Sequence, residues 1–193
     1  MRITAVALLI LGLASAAGTT NATTARRAAI TCGRELWDLK TLSDPRRNLV
    51  HLRPVPTTVA AITARRAPPG ISTLRSPGFE RHVWRVDAQI VNYKLDADSD
   101  IHLVLAGDGA YLIAAMPAPS CLPNKARDRR AIINARRLFE SRCGAANEQA
   151  LGAVAEIDGV GFWDFPHGQS GHARNYPELH PVTRLRLVSG CGS

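Results

Sequence analysis

The alternation of apolar and polar residues changes character along the chain. From Val83 to Val91 the side chains of Trp84, Val86, Ala88 and Ile90 fall on one face, and Arg85, Asp87 and Gln89 on the other. That period of two predicts a half-buried strand. A polar link, Asn92 to Ser99, leads into Ile101-His102-Leu103-Val104-Leu105, and Gly107-Asp108-Gly109 turns the chain back into Ala110 to Met116, a predicted hairpin. Beyond Pro117, Pro119 and Pro123 the spacing becomes helical. Ile132, Ala135, Leu138 and Phe139 share one side of a helix predicted from about Lys125 to Arg142, with Asn124 as its cap and Gly144 just past its end. Strand periodicity returns in Val154 to Trp163 and in Leu179 to Val188, where the imperfect alternation of Val182, Leu185 and Leu187 predicts a bulge near Thr183. From Gly18 to about Gly78 the pattern is weak: Thr, Pro, Ala and Arg dominate, and Asp44-Pro45, Arg53-Pro54, Val55-Pro56 and Pro68-Pro69-Gly70 mark turns. Only a short helix from Thr57 to Arg65, capped by Thr57 or Thr58, is predicted there.

The expected fold is therefore mainly β with one helix, in the order three strands, helix, two strands. This is the layout of the oligonucleotide/oligosaccharide-binding fold, the OB-fold: a five-stranded barrel with the helix between strands 3 and 4. The expected organisation is a signal peptide at 1–17, an extended and mostly irregular N-terminal arm at 18–78, and the barrel domain at 79–193.

The signal peptide is read from MRITAVALLILGLASAAG, which has one positive charge at Arg2, an apolar run from Ala5 to Leu13, and Ala14-Ser15-Ala16 in small-x-small form. It places the mature chain outside the cytoplasm, secreted or periplasmic. The apolar run is shorter than the about 20 residues a membrane span needs, so no transmembrane segment is expected in the mature chain. Export also changes the meaning of Cys32, Cys121, Cys143 and Cys191, because an oxidising compartment permits disulfides. No Cys-x-x-Cys pair is present, which disfavours a zinc knuckle, and four cysteines allow three connectivities. The expected pairing is Cys121 with Cys143, across the predicted helix, and Cys32 with Cys191, tying both termini to the domain.

Charge widens the set of partners without selecting one. Lys and Arg number 24 against 16 Asp and Glu, a formal net charge of +8, and nearly all the cations are arginine. Guanidinium groups suit phosphates and carboxylates, so an anionic polymer or a protein is a compatible partner. On the predicted helix Arg127, Arg129, Arg130, Arg136 and Arg137 read either as an anion-binding side or, more simply, as a solvated face. Trp84 is assigned to the interior, leaving Tyr93, Tyr111, Trp163 and Tyr176 as stacking platforms, too few for strong binding of single-stranded nucleic acid.

The candidate chemistry lies in "DADSDIHLVLA" and in the loop from Asp164 to His180. On strands, Asp100 and His102 point away from Ile101, Leu103 and Leu105, and Glu178 and His180 point away from Leu179. If the second and fifth strands lie near each other, Asp98, Asp100, His102, Glu178 and His180 converge, joined by Asp164 and His167. Carboxylates and imidazoles suit zinc, manganese or iron, so a divalent metal is a candidate cofactor. The competing reading is structural: Asp98 and Asp100 shape a turn, and His102 and His180 satisfy loop carbonyls or pair with Glu178.

The stretches "KLDADSDIHLVLA" and "GVGFWDFPHGQSGHARNYPELHPVTRL" resemble a family of uncharacterised secreted bacterial proteins with a D-x-D-x-H-L motif and an H-G-Q loop ending in E-L-H-P-V. "CGRELWDLKTLSD" resembles that family's opening segment, and the resemblance implies no activity. The Asp98-Ser99-Asp100 turn is also similar to the D-G-D-T turn of staphylococcal-nuclease-like domains, but Ile101 replaces the threonine and the arginine-containing strand of those domains is missing. Two functions follow. The first is an exported binding or structural module for an anionic ligand or a protein partner; the alternative is a metal-dependent hydrolase, most plausibly a phosphodiesterase or nuclease. The first is preferred because no motif supplies a complete nucleophile, base and oxyanion-stabilising set.

Overall fold

Strand β2 (His82–Leu95) runs four residues past the end of its predicted alternation. Its register shifts between Ile90 and Asn92, and this bulge reverses the faces, so that Tyr93 rather than Asn92 turns into the core. The computed structural model of the chain describes residues 30–144, 148–166, 168 and 170–191, so the segment read as a signal peptide, and His167, lie outside the described residues. The architecture is mainly β, with one long helix and a six-stranded sheet. No helix among the described residues is long and apolar enough to cross a membrane.

Strands β3 (Ile101–Gly107) and β4 (Ala110–Met116) form the expected hairpin. Asp108 and Gly109 both take positive φ, as a two-residue type I′ turn requires. Strand β5 (Glu148–Trp163) pairs with β2 along one edge and with β6 (Pro177–Ser189) along the other, and β6 pairs with β4. The hydrogen bonds thus pass from β2 through β3, β4, β6 and β5 back to β2, a closed circuit of five strands. The bulge on β6 falls where its sequence predicts: Asp158 faces Arg184 and Gly159 faces Val182, leaving Thr183 as the extra residue. Gly161 is needed because Phe79 O lies 2.2 Å from where a Cβ would stand.

Helix α3 (Arg129–Cys143) begins later than predicted. Residues 123–128 are held as a turn instead, with Ala126 N donating to Pro123 O and Arg127 N to Leu42 O. Its Ala135 and Phe139 join the core inside the circuit, with Trp84, Val86, Ile90, Leu103, Ile157 and Leu179. Ile132 instead joins a second cluster with Leu42, Val50, Val83, Leu122 and Val160.

The segment read as an arm contributes more structure than its composition indicated. It forms a short helix α1 (Trp37–Lys40), strand β1 (His51–Pro56) parallel to β2, and helix α2 (Val59–Thr63). Thr58 caps α2, its side chain accepting from Ala61 N at 3.1 Å, while Val59 and Ile62 are fully buried. Strand β1 is the sixth strand. Its two prolines are tolerated because it is an edge.

The disulfides correct the expected pairing. The bonds are Cys32–Cys121 and Cys143–Cys191, with Cα separations of 5.4 and 4.6 Å. At about 1.5 Å of rise per residue, α3 puts its ends about 20 Å apart, whereas a disulfide needs its Cα atoms within about 7 Å. Cys121 stays at the end of the helix where the chain enters it and bonds Cys32, while Cys143 at the far end bonds Cys191.

A buried ion pair secures the N-terminal segment. Arg75 and Asp44 are both fully buried. Arg75 Nε donates to Asp44 Oδ2 at 2.8 Å, Nη2 to Leu39 O at 2.7 Å, and Nη1 to Glu80 O at 3.4 Å. Glu80 is satisfied in turn by Ser76 N at 2.6 Å and by Trp163 N on β5 at 3.1 Å. Removing one partner leaves a buried charge uncompensated, so Asp44→Ala should cost about 3–5 kcal/mol. Denaturant unfolding under non-reducing conditions measures this; a loss below about 1 kcal/mol, the range of exposed pairs, would show that Arg75 is not dependent on Asp44.

Candidate functional site

The turn between β2 and β3 is built by its own acids. Asp96 N donates to Asp100 O at 2.8 Å and Ser99 N to Asp96 O at 2.9 Å, while Asp98 Oδ1 accepts Asp100 N at 3.1 Å. Ser99 sits at a φ of 67°. One oxygen of Asp98 is thus committed to the turn. Arg136 clamps the turn from α3: its Nη1 donates to Ser99 O and to Met116 O, both at 2.7 Å. This corrects the reading of the helix arginines as a solvated face. Arg136 is buried, Arg127 donates to Arg47 O and Val50 O, and Arg129 to Leu122 O and Pro119 O. Arg130 and Arg137 are exposed.

The period of two carries His102 outward on β3, across from Ala115 on β4. On the other side of β4, Ala114 pairs with Leu179, so Ala115 also neighbours His180 on β6. Its small side chain lets the two imidazoles approach, with ring centres 6.4 Å apart. His180 Nε2 lies 3.2 Å from Asp100 Oδ2, and its Nδ1 lies 3.5 Å from Glu178 Oε2. His102 Nδ1 lies 3.4 Å from Asp96 Oδ2. Asp164 meets Lys40 of α1, Oδ2 to Nζ at 3.6 Å, and that ammonium sits over the Phe162 ring. Asp98, Asp100 and His102 each direct one ligand atom into a common space, all within 4.8 Å of one another.

These groups are deeply buried. Asp100 and His180 are 0 % exposed, Glu178 and Asp164 2 %, and His102 8 %. Even so, among the described residues no aligned hydrogen bond reaches either oxygen of Asp100, either nitrogen of His180 or Oε2 of Glu178. Their short separations are close polar contacts that miss the hydrogen-bond direction. Burial pushes the Asp100 carboxyl up to about 7, the Asp98 charge adding to the effect while His102, Lys40 and Arg136 oppose it. Burial likewise raises Glu178, against its contact with His180, and lowers both His102 and His180. A neutral His180 has one N–H and faces two carboxyl groups, so a raised Asp100 or Glu178 supplies the other proton.

Beside the cluster opens a cavity of about 470 Å³, lined on one side by Thr31, Cys32, Gly33, Arg34 and Glu35, on another by Asp96, Ala97, Asp98 and His102, and closed by Lys40 and Phe165. The sequence marked the wall from Thr31 to Glu35 only by a cysteine and a family-like opening segment, not as part of a site; it is held there by Cys32–Cys121 and by Thr31 N donating to Ser99 Oγ at 3.0 Å. Phe165 supplies an aromatic surface that the sequence reading passed over. Of the residues it named instead, Tyr93 and Trp163 are buried and Tyr111 is exposed on β4, while Tyr176 stacks on His172 at 4.4 Å.

The burial of Asp100 has a measurable consequence. With its value raised from 3.8 to about 7, the native state keeps a proton that the unfolded chain releases, so stability falls as pH rises from about 4 to about 7. His102 and His180 act with the opposite sign: held neutral, they lose stability as pH falls through 6.5. In cation-free protein, Asp100→Asn removes the first contribution. Its denaturant midpoint should gain on that of wild type between pH 4 and 7 and run parallel above 7; parallel curves throughout would contradict the assignment.

No family model matches the chain, and no curated protein matches it. Among solved structures, it is similar to a candidate aspartyl-tRNA synthetase from Leishmania major Friedlin, at 10 % identity and a TM-score of 0.43, over 70 % of this chain and 21 % of that one. It is similar also to the asparaginyl-tRNA synthetase of Entamoeba histolytica in complex with asparaginyl-adenylate, at 10 % identity and a TM-score of 0.37, over 59 % of this chain and 22 % of that one. The chain thus spans about a fifth of the length of either synthetase.

Proposed function

We propose that the protein is an exported binding module of the OB type, which takes an anionic ligand through a divalent cation held by Asp98, Asp100 and His102. The observation that carries this reading is the convergence of those three ligand atoms within 4.8 Å beside an open cavity of about 470 Å³. Two carboxylates and one imidazole suit manganese, zinc or iron. A cation also resolves the conflict between an acid-rich cavity and an anionic ligand, because it reverses the sign of the local field. Arg34, exposed on the cavity wall, adds a second contact for the anion, and Phe165 a flat apolar one.

The topology supports the OB reading. Counting the circuit's strands in chain order, β2 to β6 are strands one to five, α3 lies between the third and fourth, and the cavity draws on the loops joining strands one to two and four to five. OB-folds bind their ligands at that pair of loops. The second reading, a metal-dependent phosphodiester hydrolase, draws on the openness of the cavity, which admits a water to the same cation. When bound, such an ion lowers the pKa of a coordinated water and polarises a phosphoryl oxygen.

Elemental analysis of the exported protein and titration with Mn²⁺ test the reading. Wild type should hold one cation. Asp98→Asn and His102→Ala should each weaken Mn²⁺ binding by more than the roughly 10–100-fold that loss of an outer partner costs. Cation retention without chelator-sensitive hydrolysis of a phosphodiester supports the binding module, and turnover abolished by chelator assigns the hydrolase. Failure to retain Mn²⁺ or Zn²⁺ would overturn both.

A further inference from the structure

Glu178 and His180 lie behind the three converging residues and line no part of the cavity beside them. Both are buried on the outward face of β6, where Phe162 meets the His180 ring edge-on at 5.7 Å and Ala115 leaves room for it. The imidazole is therefore held by packing on two strands. It reaches Glu178 Oε2 with Nδ1 at 3.5 Å and Asp100 Oδ2 with Nε2 at 3.2 Å. Oδ2 is the Asp100 oxygen that His180 approaches, and one Asp100 oxygen lies within 4.8 Å of ligand atoms of Asp98 and His102.

We infer that Glu178 and His180 are a positioning pair for the cation site: Glu178 orients the His180 ring, and His180 holds one Asp100 oxygen so that the carboxylate presents the other to the ion. The inference rests on the cation reading above and assigns separate roles within the cluster. Asp98, Asp100 and His102 touch the cation; Glu178 and His180 act through Asp100. Ligating carboxylates are commonly fixed by an outer partner that sets their direction; here that partner is a close polar contact, His180 Nε2 at 3.2 Å from Asp100 Oδ2, rather than an aligned hydrogen bond. Stability alone does not account for three ionisable groups in this place, because well-packed apolar side chains of the same volume are often as stable as a buried charged set. The Lys40–Asp164 pair neighbours the chain on its far side, and the Asp164 charge acts on Glu178.

The test measures Mn²⁺ binding by electron paramagnetic resonance on the full exported chain with its disulfides intact. His180→Gln should weaken Mn²⁺ affinity by about 10–100-fold while the number of ions bound at saturation stays at the wild-type value. Glu178→Gln, which keeps a hydrogen-bonding oxygen at the same place, should weaken it in the same direction but less. An unchanged affinity in a folded His180→Gln protein overturns the inference even if its melting temperature falls, since that is the signature of a structural histidine. A lost ion at saturation also overturns it, by making His180 a direct ligand. If His180→Gln does not fold, Glu178→Gln decides: wild-type affinity there rejects the positioning role. Absence of Mn²⁺ binding in wild type is a different failure, that of the cation reading itself.

Discussion

Leu42 and Val50 pack against Val83, Leu122, Ile132 and Val160 on the outside of the strand circuit, and the rest of the molecule depends on that contact. A closed circuit of strands usually leaves its outer face to water, so that outward residues are free to be polar. Here the N-terminal segment covers part of that face and makes a second interior. Side chains that the period of two turns away from Ile101, Leu103 and Leu179 are therefore buried as well. Each polar group among them must find a partner or cost about 1–3 kcal/mol.

The two polar networks in this second interior answer that demand differently. Around Arg75, every contact is an aligned hydrogen bond: to Asp44, to Leu39 O and to Glu80 O, with Glu80 satisfied by two backbone amides. That network is saturated and clamps residues 39–44 and 75–80 to β5. Around His180 the burial is equally complete, yet the close polar contacts to Asp100 and Glu178 are unaligned. Native interiors rarely leave buried polar atoms in that condition; local strain, an ordered water, an ion, or a redox or catalytic role accounts for those that do. The difference in saturation, rather than the mere presence of acids and histidines, separates the candidate site from the clamp.

Much of the fold was legible because strands and hairpins write themselves in local pattern. Trp84, Val86, Ala88 and Ile90 alternate, Asp108-Gly109 has the chemistry of a tight turn, and the broken alternation at Thr183 marks a real bulge. Strand β1 was not legible, since its His-Leu-Arg-Pro-Val-Pro sequence has no apolar face and becomes a strand only by pairing with β2. Arg136 was misread for a related reason. A charge on an amphipathic helix looks solvated until the carbonyls of Ser99 and Met116 are brought to it by distant parts of the chain. In the site, the period of two put Asp100 with His102 and Glu178 with His180, but their approach depends on β4 running between them with alanine at 115. The cavity wall at Thr31–Glu35 depends on a disulfide whose partner no spacing rule identifies.

That disulfide links the chemistry of the site to the compartment in which the chain works. Residues 31–35 have no helix or strand of their own; what keeps them over the turn is Cys32–Cys121, one hydrogen bond to Ser99, and Trp37, whose ring packs so closely under Gly33 that a Cβ there would lie 2.4 Å from it. In a reducing compartment the first of these would be lost, and the hydrogen bond, worth about 1 kcal/mol net, together with the Trp37–Gly33 contact falls short of the entropy of fixing five residues at about 1–2 kcal/mol each. The cavity would then lose the wall that carries Arg34, while Asp98, Asp100 and His102, which are fixed by β3 and its turn, would stay in place. Oxidation therefore completes the cavity without building the Asp98, Asp100 and His102 cluster, and an intact cavity wall belongs to a chain that has formed its disulfides.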